Sequence, residues 1–97
     1  MVTLDLLNRI IEAVQVYNRF RSPEARAYIL SIHGNTVRVL IEGCYCETCG
    51  VYDWIEDLVY CMEDEGVNAK IKEFIEPRDP LEPWRIVVLE VSEGLIP

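Results

Sequence analysis

No apolar run in this chain approaches the roughly 20 residues that a bilayer-spanning helix requires. Basic side chains are scarce: 9 Lys and Arg stand against 17 Asp and Glu, a formal charge of −8. Phosphate backbones are gripped chiefly by Lys and Arg, so nucleic acid is excluded as a natural partner. Anionic membrane surfaces are disfavoured for the same reason. The lone His33 has no Ser/His/Asp arrangement to work in, and the 5 glycines form no phosphate-cradling loop. Glutamine occurs once, at Gln15, among many Glu, Ile and Val and loop prolines, a composition that leans toward a thermophile. Residues Met1 to Asp5 place an acid where a signal peptide carries bases, which reads as a cytoplasmic protein.

What is present is a chain of 97 residues, 51% apolar, enough for one domain over residues 1–97 with a single core. Its excess of acid keeps it soluble and fits a basic protein or a cation better than any anionic partner.

Leu4, Leu7, Ile10, Ile11, Val14 and Tyr17 recur at helical spacing and predict an amphipathic helix over 4–19, with Thr3 as its cap and Ser22-Pro23 as its stop. Gly34-Asn35 predicts a tight hairpin over 27–42. That turn sets His33 opposite Thr36 and Ile32 opposite Val37. It likewise sets Leu30 opposite Val39, Tyr28 opposite Ile41 and Ile29 opposite Leu40. A thiol loop over 43–49 follows, then a second helix over 50–64 ending at Gly66. Strands over 67–75 and 84–91 close the chain around the proline-rich loop 76–83. The order α-β-β-α-β-β predicts an α+β fold, a two-layer sandwich. Two helices lie on one face of a four-stranded, largely antiparallel sheet. The order is also that of two successive αββ units, although no residue-level similarity between them stands out.

The chemically pointed feature is Cys44, Cys46 and Cys49 at the strand-to-helix junction, with Cys61 further on. Zinc is the obvious ligand for thiols spaced this closely. A helix between Cys49 and Cys61 separates those two by roughly 18 Å at 1.5 Å per residue. Cys61 can therefore neither complete that site nor pair with Cys49. A zinc site on Cys44, Cys46 and Cys49 then needs a fourth ligand from Glu42, Glu47, Asp53, water or another subunit. The same three thiols are the candidates for a local disulfide. A different chemistry uses Cys46-Glu47-Thr48-Cys49 at the helix N-terminus, where the dipole lowers a thiol pKa. Cys46 would then be the nucleophile of a thiol–disulfide oxidoreductase, Cys49 its partner and Cys44 a resolving thiol.

Two surfaces also stand out. The last strand is apolar on both sides, and Ile29, Leu40, Val87, Leu89 and Val91 are the candidate patch for a homodimer. The alternative is a central strand whose second face is covered by the tail Gly94-Leu95-Ile96. Asp53, Glu56, Asp57, Glu63 and Asp64 form an acidic face on the second helix, suited to a basic partner. Tyr45, Tyr52, Trp54 and Tyr60 gather around the thiols as a possible recognition surface. Together these features describe a small non-enzymatic binding or structural module, dimeric, with a disulfide or metal knuckle at the thiol loop. The alternative is the oxidoreductase. A thiol titration without reductant, with metal analysis on the same sample, is expected to find fewer than three reactive thiols. Three reactive thiols and no metal would eliminate both the staple and the zinc knuckle.

Overall fold

The computed structural model describes residues 3–21, 25–43, 51–79 and 82–93, and the side chains of all these except 21 and 51–54. Its elements are α1 (Leu4–Arg21), β1 (Ala25–His33), β2 (Thr36–Gly43), α2 (Val51–Asp64), β3 (Val67–Ile75) and β4 (Trp84–Glu93). The strands form one antiparallel sheet in the order β1-β2-β4-β3. The fold is α+β in the expected order. The first helix and both ends of the hairpin run slightly past their expected bounds.

Local chemistry accounts for the element ends. The Leu6 N–H donates to Thr3 Oγ1 at 3.1 Å, which caps α1. Gly34 takes φ 59° while among the described residues none other than glycine has positive φ, so the hairpin turns on glycine at its first central position. Gly66 takes φ 80° beyond α2, and its N–H donates to the Glu63 carbonyl at 2.9 Å. The last turn of α2 holds no basic residue. Arg9 of α1 brings its guanidinium against Gly66, close enough that a Cβ there would sit 2.9 Å from Nη1, and so supplies a cation at that helix end.

Leu6, Ile10, Ala13, Val14 and Tyr17 of α1 and Ile55, Leu58 and Met62 of α2 are buried in one core cluster with the inner side chains of the sheet. From β2 and β4 these are Val37, Val39, Ile41, Val87, Leu89 and Val91. Both helices thus cover the same sheet face.

The hairpin register departs from the sequence expectation at one residue. His33 faces Thr36 and Ile32 faces Val37 as expected, but a β-bulge lies between Ile29 and Ser31. Past it Ile29 faces Val39, Tyr28 faces Leu40 and Ala27 faces Ile41. One inserted residue inverts every side chain beyond it. Ala25 and Ala27 therefore point into the core, while Tyr28 and Leu30 are 43% and 49% exposed. Asn18 of α1 shows why the smaller residues go inward. Its amide donates to the Ala27 carbonyl at 3.1 Å and its carbonyl accepts from the Ala27 N–H at 2.6 Å, which holds the helix close to β1. Alanine leaves room for that approach; tyrosine and leucine do not.

The two αββ units correspond residue by residue. β3 carries a bulge between Ile71 and Glu73, at the same place along the strand as that of β1. Inward positions match as Ala25 with Val67, Ala27 with Ala69, Ile29 with Ile71, Val37 with Val87, Val39 with Leu89 and Ile41 with Val91. In the helices Ile10 matches Ile55, Ala13 matches Leu58, Val14 matches Val59 and Tyr17 matches Met62. The central register is unchanged when the units are exchanged: Thr36–Glu90 and Leu40–Ile86 swap into each other about Arg38–Val88. The sheet is thus built on a local twofold.

Leu89→Ala, in the packed centre, is expected to cost about 2–5 kcal/mol in urea unfolding. Leu30→Ala, at the outward bulge, is expected to cost under about 1 kcal/mol. Equal losses would contradict the inverted face.

Candidate functional site

The thiol segment Cys44, Cys46 and Cys49 lies outside the described residues, as do Tyr45 and the tail Gly94-Leu95-Ile96. Its flanks are described. β2 delivers Gly43 to one side of the segment, with its N–H donating to the Pro83 carbonyl at 3.0 Å. α2 begins at Val51 on the other side. Cys61 sits late in α2, about 15 Å of helix rise beyond Val51. It is half-buried against the core. His33 is exposed at the hairpin turn, the far end of β2 from Gly43. Among the described residues no group of three or more His, Cys, Asp or Glu is placed to hold a metal ion.

Arg85 is the side chain near this junction that the sequence pattern did not single out. It faces the helices from β4, opposite Ile41, and is 5% exposed. Its Nη1 donates to the carbonyls of Glu82 at 2.8 Å and Trp84 at 2.6 Å, and its Nε lies 3.8 Å from Glu76 Oε2. A guanidinium at this place ties both ends of the proline-rich loop to the sheet. A lone Arg inside the apolar run Trp84–Val91 was the available signal.

The expected dimer patch divides between the two sheet faces. Val87, Leu89 and Val91 point toward the helices and are fully buried, and Ile29 packs on the core because of the bulge. Leu40 alone of the five points outward. β4 is central, so its inner side chains are consumed by the core.

The open face carries a different apolar row. Tyr28 pairs with Leu40, Leu40 with Ile86 and Ile86 with Ile75, so one line crosses β1, β2, β4 and β3. Leu30 and Trp84 flank it, and a shallow depression of about 340 Å³ lies among Leu30, Leu40, Glu42, Trp84 and Ile86. Neither described helix reaches this side. The adjoining row carries Ser31, Arg38, Val88 and Glu73.

The acidic face of α2 also divides. Asp57 and Asp64 turn toward α1, where they line a cleft with Tyr17, Phe20, Tyr60 and Cys61. Glu56 lies on the β3 flank beside Val59, Tyr60, Ala69 and Ile71. Glu63 is exposed, and the side chain of Asp53 is outside the description, with those of Tyr52 and Trp54.

Among the described residues no helix is long and apolar enough to cross a membrane. No protein-family model matches the chain, and no curated protein matches it significantly.

Proposed function

We propose that this protein is a small non-enzymatic binding module of the cytoplasm that acts as a homodimer through the outer face of its sheet. The observation that carries the reading is the apolar row Tyr28–Leu40–Ile86–Ile75, which crosses all four strands on the side away from the helices. Apolar surface of this extent on a small domain marks an interaction site. The occupant that suits it is a second copy. Turned about an axis along the strands, the row meets itself, apolar on apolar from end to end. The next row then brings Arg38 of each copy within about one strand spacing, 4.8 Å, of the line occupied by Glu73 of the other. Opposite charges then lie along one side of the apolar seam, one pair to either side of the axis. In this module Cys44, Cys46 and Cys49 serve as a local disulfide or zinc knuckle that fixes the β2–α2 connection.

Light scattering behind size exclusion is expected to give a dimer mass. Leu40→Asp or Ile86→Asp is expected to give a folded monomer, a loss of at least about 2 kcal/mol of association. A wild-type monomer at all concentrations would overturn the reading.

The second reading is thiol–disulfide exchange by Cys46 and Cys49. What favours it is Arg85, a buried cation at the sheet end where β2 leads into the thiol segment. Positive charge nearby and a helix start both stabilise a thiolate. On this reading the pH dependence of alkylation at Cys46 gives a pKa of about 7.5 or lower; an ordinary thiol value removes it.

A further inference from the structure

The two αββ units differ at their outer edges. In the first, Asn18 of α1 takes up both the N–H and the carbonyl of Ala27 on the edge strand β1. The repeat places Ala69 of β3 where Ala27 stands, and Glu63 of α2 where Asn18 stands. An amide both donates and accepts, whereas a carboxylate only accepts, so Glu63 cannot answer both groups of a peptide as Asn18 does. Glu63 is exposed, and among the described residues no side chain is hydrogen-bonded to Ala69.

The pairing fixes where the Ala69 peptide groups point. The Val91 N–H donates to the Asn35 carbonyl at 2.8 Å, on the β2 side of β4. Ala69 faces Val91, so theirs is one of the pairs in an antiparallel ladder that exchange no hydrogen bond. The N–H and carbonyl of Ala69 therefore point away from β4, to the open edge. Ile71, two residues on and still before the bulge, repeats that direction. Along this edge a groove of about 210 Å³ runs between α2 and β3, lined by Glu56, Val59, Tyr60, Ala69 and Ile71. Ile71 is 40% exposed there, whereas its counterpart Ile29 packs on the core. Glu56 is the only charged side chain among these lining residues. Lys70, between Ala69 and Ile71, is exposed on the other side of the strand.

We propose that this edge takes a short extended peptide of another protein as an added strand, antiparallel to β3, with a basic side chain at Glu56. The peptide groups of Ala69 and Ile71 hydrogen-bond its backbone, which only an extended chain can match at this two-residue period. Its side chains opposite Ala69 and Ile71 are apolar and lie in the groove against Val59 and Tyr60. The side chain between them falls on the other sheet face beside Lys70, where an acid is favoured. Because α2 and β3 run in opposite directions, Glu56 stands toward the Ile71 end, and the basic residue belongs near the N-terminus of the guest. The bulge between Ile71 and Glu73 breaks the ladder, so a full-length strand of a second copy finds no continuous register while a short peptide does. This edge is separate from the apolar row on the open sheet face.

Fluorescence anisotropy tests this with a labelled synthetic probe, Lys-Thr-Val-Glu-Val-Thr with a blocked C-terminus, at fixed ionic strength. Saturable binding below about 1 mM is expected. N-methylation of either valine removes an N–H aimed at β3 and is expected to weaken binding at least about fivefold. N-methylation of the glutamate between them, whose N–H points away, is expected to leave binding unchanged. Ala69→Pro removes a donor on the protein side without touching the ladder to β4, and is expected to weaken binding at least about fivefold. Glu56→Lys is expected to weaken binding of this probe about fivefold and to prefer a probe with glutamate in place of its lysine. Should Ala69→Pro fail to fold by circular dichroism, the N-methylated probes and Glu56→Lys carry the test. No binding at about 1 mM, or equal losses at all three N-methyl positions, would overturn the proposal in favour of unspecific apolar adsorption. Loss of a dimer mass in folded Ala69→Pro would give the edge to a second copy and overturn it as well.

Discussion

The antiparallel pairing of β2 with β4 is the constraint on which the rest of the structure depends. It joins strands from the two αββ units at the sheet centre, about Arg38 and Val88. With β2 and β4 in the middle, β1 and β3 become the edges, and the helices that precede them fall side by side on one face. The pairing continues past the strand ends, where the Val91 N–H donates to the Asn35 carbonyl and the Gly43 N–H to the Pro83 carbonyl. One sheet face is then covered by the two described helices, whose apolar stripes are spent on it, and neither of them reaches the other face. The open apolar row and the interhelical cleft are both consequences of that arrangement.

Much of the fold was legible because its signals are local. Gly34-Asn35 fixes the turn, Thr3 starts α1 and Gly66 stops α2, each through chemistry within a few residues of itself. The bulge at Leu30 was not legible. Alternation alone puts Tyr28 and Leu30 on the same face as Val39 and Ile41, an arrangement with more apolar area than the real one. What decides against it is Asn18, nine residues from Ala27, whose amide holds α1 too close for a large side chain beneath it. The repeat was equally hidden, since Ala13 answers Leu58 and Tyr17 answers Met62: the units agree in which positions are buried and much less in what fills them.

The candidate sites divide along the same line. Asp57 and Asp64 could be placed on one side of α2 from their spacing, but that Tyr17 and Phe20 would stand across from them depends on how two helices distant in sequence come together. The apolar character of β4 was plain; which of its sides would remain open required the strand order. Arg85 was visible as a charge inside an apolar strand, yet its role rests on carbonyls of the loop it closes.

Asn18 has a bearing on how copies of this protein can meet. By taking up both the N–H and the carbonyl of Ala27, it fills a position on an edge strand that an incoming strand would use. The bulges in β1 and β3 interrupt each edge further along. Growth by adding strand to strand, the route to fibres, is therefore obstructed on both sides of the sheet. In the proposed pairing through the open sheet face, one copy occupies the surface that a third would need, so assembly of that kind ends at a closed pair.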